Sequence, residues 1–239
     1  MTSRKGAAAL AAIALPLSLL AVAGPGSAVA PGTPSAAASE SAFHRTATYP
    51  VHENAPEGVD PAAETVAEIS DVSADGKTLI HTDAPGKRIG FIDISDPRAP
   101  KGLGTIDLAT PGNEDDQPTS VAVVGDLLLV VIDSTGGDYP NPKGRVDIYR
   151  VSDREFVHSV ALGGQPDSIA ISADGPVAAI AMENQRDEEF TPTGAETGDL
   201  PQPPTGFVQI VDLGPDPATW AARRVDFDVE QARTAGLDT

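Results

Sequence analysis

The sequence predicts an all-β chain built as a β-propeller, with about three four-stranded blades present and the ring incomplete within this chain. Three observations predict it. A strand–turn–strand pattern recurs in Glu68–Ile80 (EISDVSADGKTLI), Gln117–Ile132 (QPTSVAVVGDLLLVVI) and Gln165–Ala181 (QPDSIAISADGPVAAIA). Aligned on Val72, Val123 and Ile171, the copies lie 51 and 48 residues apart, a period that marks solenoids and propellers. No long amphipathic helix interrupts them; only Pro217–Arg224 and Val229–Ala235 carry short helical patterns.

The chain begins with an export signal over residues 1–30. Arg4 and Lys5 form a basic start, Ala7 to Ala23 is apolar and uncharged, and small residues follow, which places cleavage between 28 and 38. The apolar run is short and alanine-rich, below the roughly 20 residues of a spanning helix. No later segment could span a membrane once the signal is removed. Residues 31–63 are linker and loop (Pro31 to Ser41, then HENAPEGVDPAA from His52), with a short strand expected at Thr46–Val51.

Blade 1 spans 64–110, with strands Glu68–Val72, Lys77–His81, Arg88–Ile94 and Gly104–Leu108. Asp75-Gly76 makes its first turn, and Asp96-Pro97 ends the third strand, since proline cannot donate to the ladder. Blade 2 spans 111–162, with Thr119–Val124, Leu127–Ile132, Gly144–Val151 and Glu155–Leu162. Blade 3 spans 163–228, with Ser168–Ser172, Val177–Met182, Gly206–Leu213 and Arg223–Phe227. The third strands alternate apolar and polar residues, as half-buried strands do. Leu127 to Ile132 is apolar throughout, which predicts burial on both faces between neighbouring blades. Trp220 is expected to pack a short helix against its blade. Three blades fall short of the roughly four to eight that close a propeller. The expectation is therefore a longer protein whose remaining blades begin at 229–239.

Composition narrows the partners. The 239 residues include 35 acidic and 16 basic side chains, a formal charge of −19. Nucleic acid and anionic membranes need clustered Lys and Arg, so neither is an expected partner. Without cysteine there is no disulfide, no thiolate metal site and no lipid-modified N-terminal Cys. The four histidines are dispersed and lack paired spacing, which argues against a transition metal. No nucleophile elbow or phosphate-binding glycine loop occurs.

Blade geometry marks one set of residues. Second strands end and first strands begin on one face, beside the channel. Asp83, Asp133 and Glu183 lie there, 50 residues apart each time, joined by Glu68 and Asp167. Converging carboxylates raise one another's pKa or take up a cation, and oxygen-rich sites suit Ca²⁺ or Mg²⁺. Ordinary solvated strand ends would show the same residues. After Glu183 comes a long acidic loop, in which Asn184, Arg186, Asp187 and Glu188 are candidate ligand contacts. Arg186 and Lys87 are the cations placed to face a phosphate.

QPDSIAISADG at Gln165–Gly175 and GFIDISDP at Gly90–Pro97 resemble the bacterial seven-bladed lactonase and surface-layer-like propellers. With the export signal, QPTSVAV and MENQRDEE, the chain resembles the N-terminal part of large secreted proteins of the esterase-like-activity-of-phytase and alkaline-phosphatase-like group. The resemblance spans about residues 64–216. It implies a propeller scaffold here, with phosphoester hydrolysis a property of the whole protein and its catalytic part elsewhere. Three expectations of function result. One is a secreted scaffold or binding module for an extracellular or small phosphorylated ligand. Another is part of a Ca²⁺-dependent phosphoester hydrolase, in which bound cations would neutralise phosphate and activate water. The third is a cell-surface adhesion or assembly module.

Overall fold

The computed structural model describes residues 44–108, 113–183, 185, 187–199 and 202–227. Arg45–Thr239 forms one compact unit, and the fold is that unit's. The expected export signal, the linker up to Ser41, Asn184, Arg186, the helical pattern at Val229–Ala235 and the whole of 229–239 lie outside the described residues.

Among the described residues, twelve strands form three four-stranded antiparallel sheets, each a meander in chain order. The first contains β1 (Ser70–Val72), β2 (Thr78–Asp83), β3 (Arg88–Asp93) and β4 (Lys101–Asp107). The second contains β5 (Gln117–Val124), β6 (Leu127–Asp133), β7 (Gly144–Arg150) and β8 (Phe156–Leu162). The third contains β9 (Gln165–Ile171), β10 (Val177–Glu183), β11 (Phe207–Asp212) and β12 (Ala222–Val225). These are propeller-type blades, stacked face to face, and the described sheets do not close into a barrel.

Two short expectations fail. Thr46–Val51 is not a strand: residues 44–50 carry no regular structure, and a 3-10 turn occupies Val51–Asn54. Among the described residues no strand pairs with this stretch. The helix expected over Pro217–Arg224 is confined to a 3-10 turn at Pro217–Thr219, capped by Asp216, which accepts from the Ala218 amide at 3.0 Å. The chain then joins the sheet as β12, because pairing with β11 outweighs a weak local helical preference.

The hairpin turns follow from sequence. Ser-Ala-Asp-Gly occurs at 73–76 and again at 172–175. Gly76 and Gly175 sit at φ +72° and +86°, a region open to glycine. In both turns the preceding serine hydroxyl accepts a backbone amide, from Thr78 at 2.9 Å and from Val177 at 3.2 Å.

Stacking follows from the period of two. Along β6, Leu128, Val130 and Ile132 face blade 1, packing with Ile80, Ile89 and Phe91. Leu129 and Val131 face the opposite way, into a core with Ile180, Met182 and Phe207 of blade 3. Trp220 closes that core, 7% exposed, and donates its indole N–H to the Gly214 carbonyl at 2.9 Å. The inner strands are also stitched by single bonds. Asp71 accepts from the Val123 amide at 2.8 Å, and Thr119 donates to the Pro166 carbonyl at 3.0 Å.

Candidate binding face

Strand pairing brings the ends of the second strands beside the starts of the first. Gln117 pairs with Asp133, and Gln165 with Glu183. In blade 1 the Glu68 amide bonds the Thr82 carbonyl at 3.4 Å. Blades 2 and 3 therefore place their polar strand ends next to one another.

Gln165 organises that region. Although it is only 5% exposed, its amide donates to Asp133 Oδ2 at 3.2 Å and to Gln185 Oε1 at 2.6 Å. Its own oxygen accepts from the Gln185 amide at 3.3 Å. Asp133 Oδ1 accepts from the Thr135 amide at 2.9 Å. Asp167 and Glu183 are exposed beside this pair. Glu183 loses part of its solvation at the strand end. That loss, followed by the negative charges of Asp167 and Asp133, pushes its carboxyl up from the ordinary value.

Asp83 does not join them. It is buried and bonds Arg88 Nε at 2.7 Å, the Thr65 hydroxyl at 2.6 Å, and the Val66 and Gly86 amides at 3.1 Å each. Burial alone would raise its pKa, but these donors together hold the carboxyl below the ordinary value. Its lone pairs fasten the loop before β1 to the β2–β3 turn. Glu68 is exposed. Among the described residues, no three Asp, Glu or His side chains are grouped so as to hold a metal ion.

In the acidic loop, Asp187 is half-buried and accepts from the Glu189 amide at 2.9 Å, a local turn bond. Its backbone is clamped by Gln202, which accepts from the Asp187 amide at 2.8 Å and donates to its carbonyl at 3.2 Å. Glu188 is exposed. Lys87, expected to face phosphate, instead donates to the Glu114 carbonyl.

Sequence reasoning missed one network. Asp116, fully buried, takes a forked pair of bonds from Arg145, at 2.9 Å and 2.7 Å, and the Ser134 hydroxyl at 2.6 Å. Arg145 Nε also bonds both oxygens of Asp147, at 3.0 Å and 2.9 Å. Desolvation works against the charge on Arg145, yet these partners raise its pKa further. Burial, then the charge of Asp147, pushes the Tyr149 hydroxyl up to about 12. A signal existed: Arg145, Asp147 and Tyr149 alternate along β7 and so share the side that faces blade 1.

Two hollows open around the Gln165 cluster. One, about 420 Å³, is lined by Gln117, Asp133, Thr135, Tyr139, Gln165 and Gln185, together with Glu114, Asp115 and the Gly136–Gly137 turn. The other, about 90 Å³, is bounded by Tyr139, Pro140, Gln185, Asp187, Phe190, Gln202 and Pro203. A cleft of about 710 Å³ lies elsewhere, where β4 meets β7 and β8 around Tyr149, Phe156 and Arg145.

The family model of the choice-of-anchor I domain matches residues 68–239. None of the curated proteins matches the sequence. Among solved structures, hydrazine synthase of Kuenenia stuttgartiensis is similar at 17% identity and TM-score 0.46, over 67% of this chain and 37% of that one. A protein assigned as a 6-phosphogluconolactonase from Bacteroides uniformis is similar at 17% identity and TM-score 0.46, over 78% of this chain and 47% of that one. The dihydro-heme d1 dehydrogenase NirN is similar at 11% identity and TM-score 0.40, over 68% and 28%. The chain thus spans less than half the length of each of these structures.

Proposed function

The chain belongs to the choice-of-anchor I domain family, and from that membership we propose that it is an exported β-propeller module held at the cell surface, where it binds an extracellular ligand. The family's description speaks of an anchor, and the basic, apolar and small-residue order of the first 30 residues supports export. The observation that carries the binding role is the buried Gln165 amide. It holds Asp133 and Gln185 in fixed positions at the mouth of a polar hollow between blades 2 and 3. A side chain this buried pre-organises its neighbours and lowers the ordering cost of binding. Cell-surface adhesion and assembly are forms of the same role. Intact producing cells treated with external protease test the location: loss of the full-length protein is expected, and its survival beside a degraded surface control would refute it.

A second reading is supported by the shared field of Asp133, Asp167 and Glu183. It has calcium held near these carboxylates, as in a Ca²⁺-dependent phosphoester hydrolase of which this chain would be a part. Calcium titration followed by thermal melting tests it. A ligand bound by the folded state raises the melting temperature; no shift at millimolar calcium would remove the cation. The phosphate half of this reading draws no support from Arg88 and Arg145, whose guanidinium groups already serve Asp83, Asp116 and Asp147.

A further inference from the structure

We propose that the two adjoining hollows serve as one groove for a neutral saccharide, an inference that rests on the binding role just described and names its ligand class. The hollows share Tyr139 and Gln185 as walls and so lie side by side. The larger, about 420 Å³, falls in the range of small-molecule sites, roughly 300–1,000 Å³. Its lining is a set of side-chain acceptors and amides. Gln165 spans Asp133 and Gln185 and engages the Gln185 oxygen, so the NH₂ end of Gln185 has no partner among the described residues. Sugar hydroxyls both donate and accept, and neighbouring carboxylate and amide groups complement them in pairs.

The smaller hollow supplies what hydroxyl recognition lacks. Tyr139, Phe190, Pro140 and Pro203 line it with flat apolar surfaces, and Phe190 is 44% exposed. A pyranose ring presents a C–H face that packs on such surfaces, while its edge hydroxyls reach the polar side. Amphipathic rings placed at a wet boundary serve this pairing.

Charge decides against an anionic ligand. Among the described residues no Lys, Arg or His lines either hollow, whereas Glu114, Asp115, Asp133 and Asp187 do. A phosphate or carboxylate would meet repulsion from these groups. A bare cation would be attracted by them, but among the described residues no three carboxylates are grouped so as to hold one. A neutral, hydroxyl-rich ring meets neither obstacle.

Isothermal titration of the full chain with maltotriose, cellotriose, mannotriose and N-acetylated chitotriose tests the inference, with inorganic phosphate and calcium chloride titrated alongside. Saturable binding of at least one trisaccharide is expected. Tyr139→Ala and Phe190→Ala should each weaken it about tenfold, a change of ~1.4 kcal/mol, without moving the melting temperature. Absence of trisaccharide binding overturns the inference. So does trisaccharide binding that both variants leave unchanged, or phosphate binding that they abolish. Failure here would leave surface location standing, and a protein found protected inside cells would leave the titration result standing, so the two failures are distinguishable.

Discussion

Arg145 shows what a single side chain can do within one blade. Its forked bonds to Asp116 and its paired contacts with Asp147 join the segment before β5 to β7. Burial alone would raise the Asp116 carboxyl, but Arg145, the Ser134 hydroxyl and the Asn113 amide together hold it below its ordinary value. An aspartate depressed in the folded state stabilises the fold fully above its unfolded value, about 3.9. That contribution is lost as pH falls through the folded value. The melting temperature should therefore drop as pH is lowered below about 4, and Asp116→Asn should flatten that acid slope. An equally steep slope in the variant would refute the assignment. Asp116→Ala should cost ~3 kcal/mol in urea unfolding at pH 7, because Arg145 is left partly buried with one partner fewer. Glu183 carries the opposite sign. Its pKa is raised in the fold, so its ionised form is disfavoured there and stability falls as pH rises from its unfolded to its folded value. Glu183→Gln should raise the melting temperature at pH 7 and leave it unchanged below about pH 4; an equal shift at both pH values would contradict this. The 50-residue spacing of Asp83, Asp133 and Glu183 was visible in the sequence. Their different fates were not, because they depend on register: Arg88 stands directly opposite Asp83, whereas Gly144 stands opposite Asp133 and Arg145 turns to Asp116 and Asp147.

Elements were more legible than side chains. All twelve strands were marked by alternation, turn glycines and prolines, with boundaries displaced by no more than a few residues. The hairpins are local, so neighbouring residues decide them. The segment before β1 was not legible, since its partners lie far along the chain. Asn54, 6% exposed, donates to the Phe91 and Gly104 carbonyls at 3.1 Å each and accepts from the Gly104 amide at 2.7 Å. These atoms belong to the register shift at Phe91/Ile92, where β3 and β4 leave backbone groups without ladder partners. Gly102 lies beneath Asn54 and Tyr49; a Cβ there would fall 2.3 Å from the Tyr49 hydroxyl. Loss of the Asn54 side chain strands buried backbone groups, a cost of about 1–3 kcal/mol each. Asn54→Ala should lower stability in urea by about 2 kcal/mol or more and leave the Gln165 hollow's ligand affinity unchanged. A variant as stable as the parent would show that the bulge is satisfied in another way.

The molecule as a whole behaves as a stack in which each blade contacts its neighbours. Such arrays draw stability from units and from the interfaces between them. Strand β6 is the shared wall: Leu128 belongs to the core with blade 1 and Leu129 to the core with blade 3, and they are 0% and 1% exposed. The unbroken apolar run at Leu127–Ile132 already implied two buried faces. It could not say which residue served which neighbour, because that depends on register, and a slip of one residue exchanges the two faces. Truncating either leucine to alanine should cost about 2–5 kcal/mol. The two variants should nonetheless differ in where they loosen the fold. Leu128→Ala should speed amide hydrogen exchange in β2 and β3, and Leu129→Ala should speed it in β10 and β11. Adjacent residues usually couple, but these two share no core partners, so the double variant's loss should equal the sum of the single losses within about 0.5 kcal/mol. Exchange that accelerates in the same strands for both variants would show that blade 2 transmits strain across its thickness, and that the stack unfolds as one body instead of interface by interface.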